Sequence, residues 1–300
     1  MLELKLDRVT KQYKEKMAVD HISVSFANGV YGLLGENGAG KTTLLRMICS
    51  LLPSGEGEIV CNGIPIQKMG REYRRLLGYL PQEFGYYPEF TPWRYLMYLA
   101  SLKALPKAMA QERCRELLKL VGLEGEERQK IKTFSGGMVR RLGIAQALLN
   151  DPEILILDEP TSGLDPRERI RFRNIISSLG KNRIVILSTH IVADVAYIAD
   201  EILLMKKGKI IGRGSPEELV KRMYGCVWEC IIPGDKVEEY TERYPVSNLK
   251  NVDNQVRLRM LSVDKPCENA VPAEPGLEDV YLYVTEEGRG AHEDIADRNI

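Results

Sequence analysis

The stretch "VYGLLGENGAGKTTLLRMI", from Val30 to Ile48, decides the fold of this chain. Its centre, Gly35 to Thr42, fits the pattern G-x-x-x-x-G-K-[ST], with an apolar strand before it and helical sequence after it. In such a loop, backbone N–H groups of small residues surround a phosphate, and the helix N-terminus adds its positive dipole end. Lys41 would contact the β- and γ-phosphates, and the Thr42 hydroxyl would ligate Mg²⁺. The alternative is a chance glycine turn. The strand before the loop and the helix after it argue against that alternative, because a chance turn would not need them. The residues predicted to bind nucleotide here are Gly35, Glu36, Asn37, Gly38, Ala39, Gly40, Lys41, Thr42 and Thr43.

Two adjacent carboxylates follow a second apolar run, "ILILDE", which ends in Asp158 and Glu159. Carboxylates at the carboxyl end of a parallel strand face the ligand crevice of an open sheet. We expect Asp158 to hold Mg²⁺ through a coordinated water, and Glu159 to act as the general base on the attacking water. Taken alone, the pair would more simply be a strand ending in a solvated acidic turn. Because a phosphate loop precedes the pair in the sequence, the catalytic interpretation is favoured.

Composition narrows the range of partners. The 300 residues carry 42 Lys+Arg and 42 Asp+Glu, a balance that argues against nucleic acid as the main partner. The six cysteines lack zinc spacing and are expected to be free thiols in a reducing cytosol. The start of the chain lacks an apolar signal core, and no run approaches the roughly 18–20 apolar residues of a membrane span. Any membrane role is therefore expected to come through a partner.

The order of strands and helices predicts an α/β fold. Apolar strands alternate with helices, which indicates a mostly parallel sheet covered on both faces. Residues 1–224 are predicted to form one domain with a helical insertion at about 83–150, in which Thr91 is the expected N-cap of a helix and Pro92 its first residue. Residues 225–285 are predicted to form a small α+β appendage. The polar residues 286–300 are expected to be a disordered tail.

Several further motifs stand in a fixed order along the chain: "LPQE" with Gln82, "FSGGM" from Phe134 to Met138, "LDEPTSGLD" from Leu157 to Asp165, and "STH" with His190. Taken with the phosphate loop, they resemble those of the nucleotide-binding subunit of ATP-binding cassette (ABC) transporters, and the resemblance covers about Leu2 to Lys221. "FSGGM" resembles the family's L-S-G-G-Q signature, although Met138 replaces glutamine, and "LDEPTSGLD" resembles the catalytic strand and D-loop. The residues that match the remaining family positions are Tyr13 for adenine stacking, Gln82 of the Q-loop as a catalytic and Mg²⁺-binding residue, Ser135, Gly136 and Gly137 of the signature, Asp165 of the D-loop, and the switch histidine His190.

The resemblance implies that residues 1–224 are an ATP-binding domain, a P-loop NTPase cassette with an antiparallel β subdomain, which binds ATP and Mg²⁺ and hydrolyses ATP. It implies that Ser135-Gly136-Gly137 serves the nucleotide of a second subunit, so two chains would sandwich two ATP molecules. The partners would be that subunit and a polytopic membrane permease, which would hold the chain peripherally on the cytoplasmic face. Two stretches resemble motifs of the ATPases of drug-resistance exporters: "SGGMVRRL", and "PGLEDVYLYVT" from Pro275 to Thr285. Export is therefore expected.

Weaker signals leave alternatives open. The aromatic residues after Gln82 are expected to provide both core packing and a surface for the permease. Leu96 and Leu99 are expected inside, and some of Tyr86, Tyr87, Phe90 and Trp93 at that surface. Arg140 and Arg141 are predicted to lie on a solvated helix face. A soluble cassette ATPase of translation or DNA repair remains an alternative, although neither a second cassette nor a long coiled coil is present. A regulatory ATP-binding subunit is another, although Glu159 and His190 are intact.

Overall fold

The computed structural model describes residues 2–285, so the predicted disordered tail at 286–300 lies outside the described residues. The strands are β1 (Leu4–Tyr13), β2 (Lys16–Phe26), β3 (Gly29–Leu34), β4 (Glu56–Cys61), β5 (Ile64–Pro65), β6 (Leu77–Leu80), β7 (Ile154–Asp158), β8 (Ile184–Thr189), β9 (Glu201–Lys206), β10 (Lys209–Gly214), β11 (Val227–Pro233), β12 (Val246–Val252), β13 (Gln255–Leu261) and β14 (Val271–Pro272). The α-helices are α1 (Lys41–Ile48), α2 (Ile66–Met69), α3 (Arg71–Leu76), α4 (Pro92–Leu102), α5 (Lys107–Leu120), α6 (Gly136–Ala147), α7 (Pro166–Leu179), α8 (Val192–Val195), α9 (Pro216–Lys221), α10 (Val237–Arg243) and α11 (Leu277–Thr285).

A central sheet of strand order β10-β9-β3-β8-β7-β6 carries the fold. Its pairings are parallel except for the antiparallel pair of β9 and β10. A second, antiparallel sheet has the order β2-β1-β4-β5. The predicted α/β class, with a mostly parallel sheet and an antiparallel β subdomain, is confirmed.

The central sheet is buried on both faces, as its continuous apolar strands predict. Leu155 and Leu187 point into the core formed with α4, α5 and α6. Ile156 and Ile186, their neighbours along β7 and β8, point into the opposite core, which is shared with α1 and the antiparallel sheet. Because successive side chains of a strand alternate between faces, the same strands support both layers and fix the register of β7 against β8.

This sheet order brings the predicted motifs to one edge. β8 lies between β3 and β7, and all three strands run parallel. The phosphate loop follows β3, Glu159 follows β7, and His190 follows β8. Three segments that are distant in sequence therefore end side by side at the carboxyl edge of the sheet, where ligands bind in open α/β folds.

The region between β6 and β7 is helical, as predicted. Helix α4 begins where expected: the Thr91 side chain accepts a hydrogen bond from the backbone N–H of Arg94, and Pro92 is the first helical residue. Leu96 is fully buried, whereas Leu99 is only half-buried. Within residues 2–285, no helix combines the length and the apolar composition needed to cross a membrane.

The chain after Tyr224 builds a third sheet of order β12-β13-β11-β14, with α10 between β11 and β12. Its own core is small, but the final helix α11 packs with the cassette, since Leu277 and Val280 join the cluster that contains Leu219. Lys206 Nζ, at the end of β9, donates to the Val284 carbonyl at 2.9 Å. The appendage therefore contacts the cassette close to the phosphate loop. The domain limits at 224 and 285 stay predictions.

Candidate nucleotide site

The phosphate loop depends on the absence of a side chain at Gly40. This residue has a φ of 106° and is the N-cap of α1. A Cβ atom there would lie 2.0 Å from the Ala18 carbonyl oxygen, closer than any real contact. Only glycine combines this backbone conformation with such a close approach. The loop is thereby held against β2, and its small residues allow a phosphate to approach the backbone closely.

Lys41 opens α1, and its side chain is buried. Its Nζ donates to the carbonyl oxygens of Gly35, at 2.6 Å, and Glu36, at 3.1 Å. It also lies 3.4 Å from Oε1 of Glu159. Burial lowers the pKa of Lys41, and the nearby Glu159 carboxylate acts in the opposite direction. A cation held in this partly dry position would interact strongly with a phosphate.

The loop borders a cavity of about 420 Å³. Nine of the predicted site residues line it, and so do Lys16 and Ala18, which the sequence motifs did not indicate. Lys16 Nζ lies 3.9 Å from the position that a Cβ on Gly38 would occupy, so a second cation borders the loop. Tyr13 is 46% exposed, which leaves its ring open to a ligand. The predicted residues that line the cavity are Tyr13, Asn37, Gly38, Gly40, Lys41, Thr42, Thr43, Gln82 and Glu159.

The Asp158 carboxylate ends β7 and is almost completely buried. Its Oδ1 accepts hydrogen bonds from Thr42 Oγ1 at 3.1 Å and from Ser188 Oγ at 2.6 Å. Its Oδ2 is buried and has no hydrogen-bond partner among residues 2–285. An unpaired buried carboxylate oxygen is costly, so this atom indicates a group that residues 2–285 do not supply.

Glu159 has a φ of 45°, a left-handed conformation that is uncommon outside glycine. Its backbone N–H donates to Ser188, with the carbonyl oxygen at 3.2 Å and the hydroxyl at 3.0 Å. Strained residues persist at functional sites where the surroundings over-determine them. The carboxylate is buried, and its Oε2 lies 2.9 Å from Nδ1 of His190. The structure therefore brings two of the three predicted catalytic residues, Glu159 and His190, into direct contact.

The signature residues and Asp165 form a separate group. Ser135 caps α6 by accepting the Met138 N–H at 3.2 Å, and Asp165 caps α7 by accepting the Glu168 N–H at 2.9 Å. Ser135, Gly136 and Asp165 are exposed, and none of them lines the cavity beside the phosphate loop. The predicted site residues thus fall into two sets on one chain.

Arg140 and Arg141 are both buried, so their predicted position on a solvated helix face is wrong. Arg141 Nε lies 2.9 Å from Oε2 of Glu168, and its Nη1 donates to the Val121 carbonyl at 2.9 Å. Among the described residues, Arg140 donates to backbone carbonyls at the segments that carry Gln82 and Glu159. Their partners lie between 18 and 59 residues away in sequence, which is why the local helical pattern suggested exposure.

Comparison with known proteins identifies the family. A family model described as ABC transporter matches residues 19–162. A linearmycin resistance ATP-binding protein of Bacillus subtilis is 37% identical over 224 residues, which span 74% of this chain and 72% of that protein. The Nod factor export ATP-binding protein I of Rhizobium etli is 32% identical over 298 residues, 95% of this chain and 94% of that protein. The chain belongs to the ABC transporter family.

Solved structures agree with this assignment. A dimeric ATP-binding cassette in a post-hydrolysis state, with ADP and Pi bound, has a TM-score of 0.64 and 26% identity, and it covers 71% of this chain and 98% of its own. The ATP-binding subunit of another ABC transporter has a TM-score of 0.65 and 27% identity over 73% of this chain and 92% of its own. The present ABC protein is an ATP-binding subunit and an ATPase, as the motifs predicted.

Proposed function

We propose that this ABC ATPase binds Mg²⁺ and ATP at the cavity beside the phosphate loop and powers export through a separate membrane permease. The observation that carries the proposal is the contact of buried Glu159 with both Lys41 and His190 at the edge of that cavity. The names of the two relatives, one a resistance protein and one an export protein, support export as the direction.

The residues around Glu159 suggest how hydrolysis proceeds. A water placed in line with the γ-phosphate would lose its proton to the Glu159 carboxylate. Lys41 would stabilise the negative charge that develops on the transferred phosphoryl group. His190 contacts the same carboxylate, so it would orient that carboxylate and sense whether the γ-phosphate is present. The Gln82 side chain borders the same cavity from a loop after β6.

The donor set beside the phosphate loop fits Mg²⁺. Asp158 leaves one buried carboxylate oxygen without a partner among the described residues, and the Thr42 hydroxyl lies next to the other oxygen. Oxygen ligands from one carboxylate and one hydroxyl, with water and phosphate completing the set, are what Mg²⁺ prefers. We propose that Thr42, Asp158 and Gln82 hold the ion, which would neutralise charge on the β- and γ-phosphates.

We propose further that two subunits share each ATP. Ser135 and Gly136 form an exposed helix N-terminus, and its N–H groups and dipole suit a phosphate. They lie outside the cavity of their own chain, so they would serve the cavity of a partner. The dimeric arrangement of the similar cassette supports this pairing, either with a second copy or with a different cassette.

An exposed aromatic surface at the start of the helical region is the proposed contact with the permease. It is centred on Tyr87, whose ring lies 4.7 Å from that of Phe90 with a tilt of 31° and meets Tyr98 edge-on at 5.6 Å. Arg94 covers Phe90 at 4.1 Å. Aromatic residues and arginine are enriched at protein interfaces. Binding there would hold the chain peripherally on the cytoplasmic face of the membrane. The aromatic surface consists of Tyr86, Tyr87, Phe90, Arg94 and Tyr98.

Replacing Lys41 with alanine tests the nucleotide site. Hydrogen bonds to charged groups contribute about 1.5–3 kcal/mol, so ATP affinity should fall roughly 10- to 100-fold. Isothermal titration calorimetry with Mg²⁺ and ATP measures the change. Lys130→Ala is a matched control, because Lys130 pairs with Glu89 on the surface and does not line the cavity. Unchanged ATP affinity in Lys41→Ala, with an unchanged melting temperature, would refute the proposed site.

Removal of the aromatic surface tests the partner. The double variant Tyr87→Ala/Tyr98→Ala should lose co-purification of a multi-span membrane protein from detergent extracts of the native cell, identified by mass spectrometry. Its ATP binding in isolation should not change, because neither tyrosine lines the cavity. Leu102→Ala, at the exposed end of α4, serves as the control. A soluble role in translation or repair would instead give no multi-span partner even with the wild-type chain.

A further inference from the structure

The Arg140 guanidinium lies at a junction of three motifs. It extends from α6, five residues after Ser135, and is buried. Its Nε donates to the Pro160 carbonyl at 2.8 Å, and its Nη1 donates to the Gln82 carbonyl at 2.6 Å. Its Nη2 donates to the Glu159 carbonyl. Longer hydrogen bonds reach the carbonyls of Pro81, at 3.4 Å, and Asp158, at 3.3 Å.

These acceptors belong to two loops that carry catalytic side chains. Pro81 and Gln82 follow β6, whereas Asp158, Glu159 and Pro160 end β7 and begin the D-loop. One rigid, planar group therefore fixes the backbone of both loops to the helix that starts with the signature. Burial lowers the pKa of Arg140, and the Asp158 and Glu159 carboxylates act in the opposite direction.

The contact with Glu159 bears on the strain at that residue. Ser188 holds the Glu159 N–H, and Arg140 holds its carbonyl, so both peptide groups beside the left-handed residue are fixed. A non-glycine residue keeps this conformation only while its surroundings enforce it. Without Arg140, Glu159 would be free to relax and turn its carboxylate away from Lys41 and His190.

We propose that Arg140 is a positioning residue for ATP hydrolysis. It acts through the backbones of Glu159 and Gln82 and makes their placement depend on the position of the signature helix α6. The inference rests on the proposed roles of Glu159 and Gln82. It adds a physical link within one chain between the signature helix, which would close on the partner's nucleotide, and the chain's own hydrolytic carboxylate.

Arg141 shows that burial alone does not confer this role. It is the next residue of α6, and it is also buried, but its partners are Glu168 and the carbonyls of Val121 and Gly122. These contacts fix α6 to α7 and to the end of α5. Arg141 therefore anchors the helix without touching the loops of Gln82 and Glu159.

Steady-state hydrolysis by Arg140→Gln and Arg140→Lys tests the inference. Small misplacements of a catalytic group can cost on the order of 10²-fold, so we expect that loss in kcat for Arg140→Gln. KM for ATP should stay within about twofold, because Arg140 does not line the nucleotide cavity. Lysine can reach only part of the carbonyl set, so Arg140→Lys should recover part of the lost rate. Arg113→Gln is the matched control, since Arg113 also bonds a carbonyl, that of Leu148, but no residue of the cavity.

A double-mutant cycle separates positioning from general stability. If Arg140 acts through Glu159, then Arg140→Gln should cost at most a few-fold in single-turnover hydrolysis when Glu159 is already glutamine. Unchanged kcat in Arg140→Gln would overturn the inference, and so would a full additive loss in the Glu159→Gln background. The inference would also be overturned if Arg140→Lys lost as much kcat as Arg140→Gln and both variants had a lower melting temperature than the wild type. If Glu159→Gln itself retained activity, the proposed site would fail instead, so the two failures can be distinguished.

Discussion

Glu159→Gln will retain ATP binding while hydrolysis falls by on the order of 10²- to 10⁴-fold, the typical contribution of a positioned acid or base. Glutamine has nearly the shape of glutamate, so the neighbours of the buried side chain keep their places. The amide, however, cannot take a proton from the attacking water. The contact with His190 Nδ1, at 2.9 Å, can be kept by the amide oxygen. The variant should therefore accumulate as an ATP-bound dimer.

Phosphate release measures the turnover of this variant, and size-exclusion chromatography with ATP measures the dimer. Glu153→Gln is the control, because Glu153 is exposed and lies just before β7, at the opposite end of the strand from Glu159. That variant should hydrolyse ATP at the wild-type rate. Near-normal hydrolysis by Glu159→Gln would exclude Glu159 as the base, since no carboxylate would remain at that position.

The phosphate loop could be predicted from sequence because its chemistry is local. The glycines, Lys41 and Thr42 lie within eight consecutive positions, and the strand and helix on either side are visible as short patterns. The central sheet could be predicted for a similar reason. Continuous apolar runs such as β7 and β8 are typical of strands that are covered on both faces. The N-cap at Thr91 could also be predicted from the sequence, because capping depends on only four residues.

Contacts between distant segments could not be predicted in this way. Arg140 occurs in a helix, where charged residues usually face water, and its acceptors are carbonyl groups that every residue possesses. No pattern of residue types marks such acceptors. Two further features are likewise properties of the folded chain: the Asp158 Oδ2, which lacks a partner within residues 2–285, and the positive φ of Glu159.

The final helix shows the same limit. "PGLEDVYLYVT" was recognisable as a motif, but its placement depends on the fold around it. Asp279, buried near the start of α11, accepts hydrogen bonds from Arg259 Nη2 at 2.7 Å and from Ser247 Oγ at 2.7 Å. The other end of the helix meets Lys206 beside the phosphate loop. The helix thus connects the appendage sheet to the cassette, a connection that composition alone does not indicate.

A mixture of two inactive variants should regain ATPase activity if the signature serves the opposite subunit. The variants are Lys41→Ala, which damages the phosphate loop, and Gly136→Asp, which damages the signature. Each pure dimer has two damaged pockets. In the mixed dimer, one pocket receives both damaged parts, whereas the other combines a normal loop with a normal signature. Recovery is therefore expected if the chain pairs with itself and one intact pocket suffices.

Gly136→Asp is expected to disrupt the proposed site on the partner without disturbing the fold of its own subunit. A Cβ at Gly136 would meet none of the described atoms within 4 Å beyond its chain neighbours and its own helix backbone. A carboxylate in the first turn of α6 also suits the helix dipole, so the subunit itself should fold normally. At the partner's γ-phosphate, the same carboxylate would be a like charge in a poorly solvated cleft. Gly137 is unsuitable, because a Cβ there would lie 2.8 Å from Cγ of Glu168 within the same chain.

A reciprocal mixture supplies the control. Consider wild-type chain paired with the double variant Lys41→Ala/Gly136→Asp. If each pocket takes its loop from one chain and its signature from the other, each pocket contains one damaged part and none is intact. If both motifs acted on one nucleotide within one chain, the wild-type half would instead stay active, and the two single variants would not complement each other. Purification through two different tags isolates the mixed dimers, and phosphate release reports their activity. Activity in the double-variant pairing, without recovery between the single variants, would contradict the exchange of signatures between subunits.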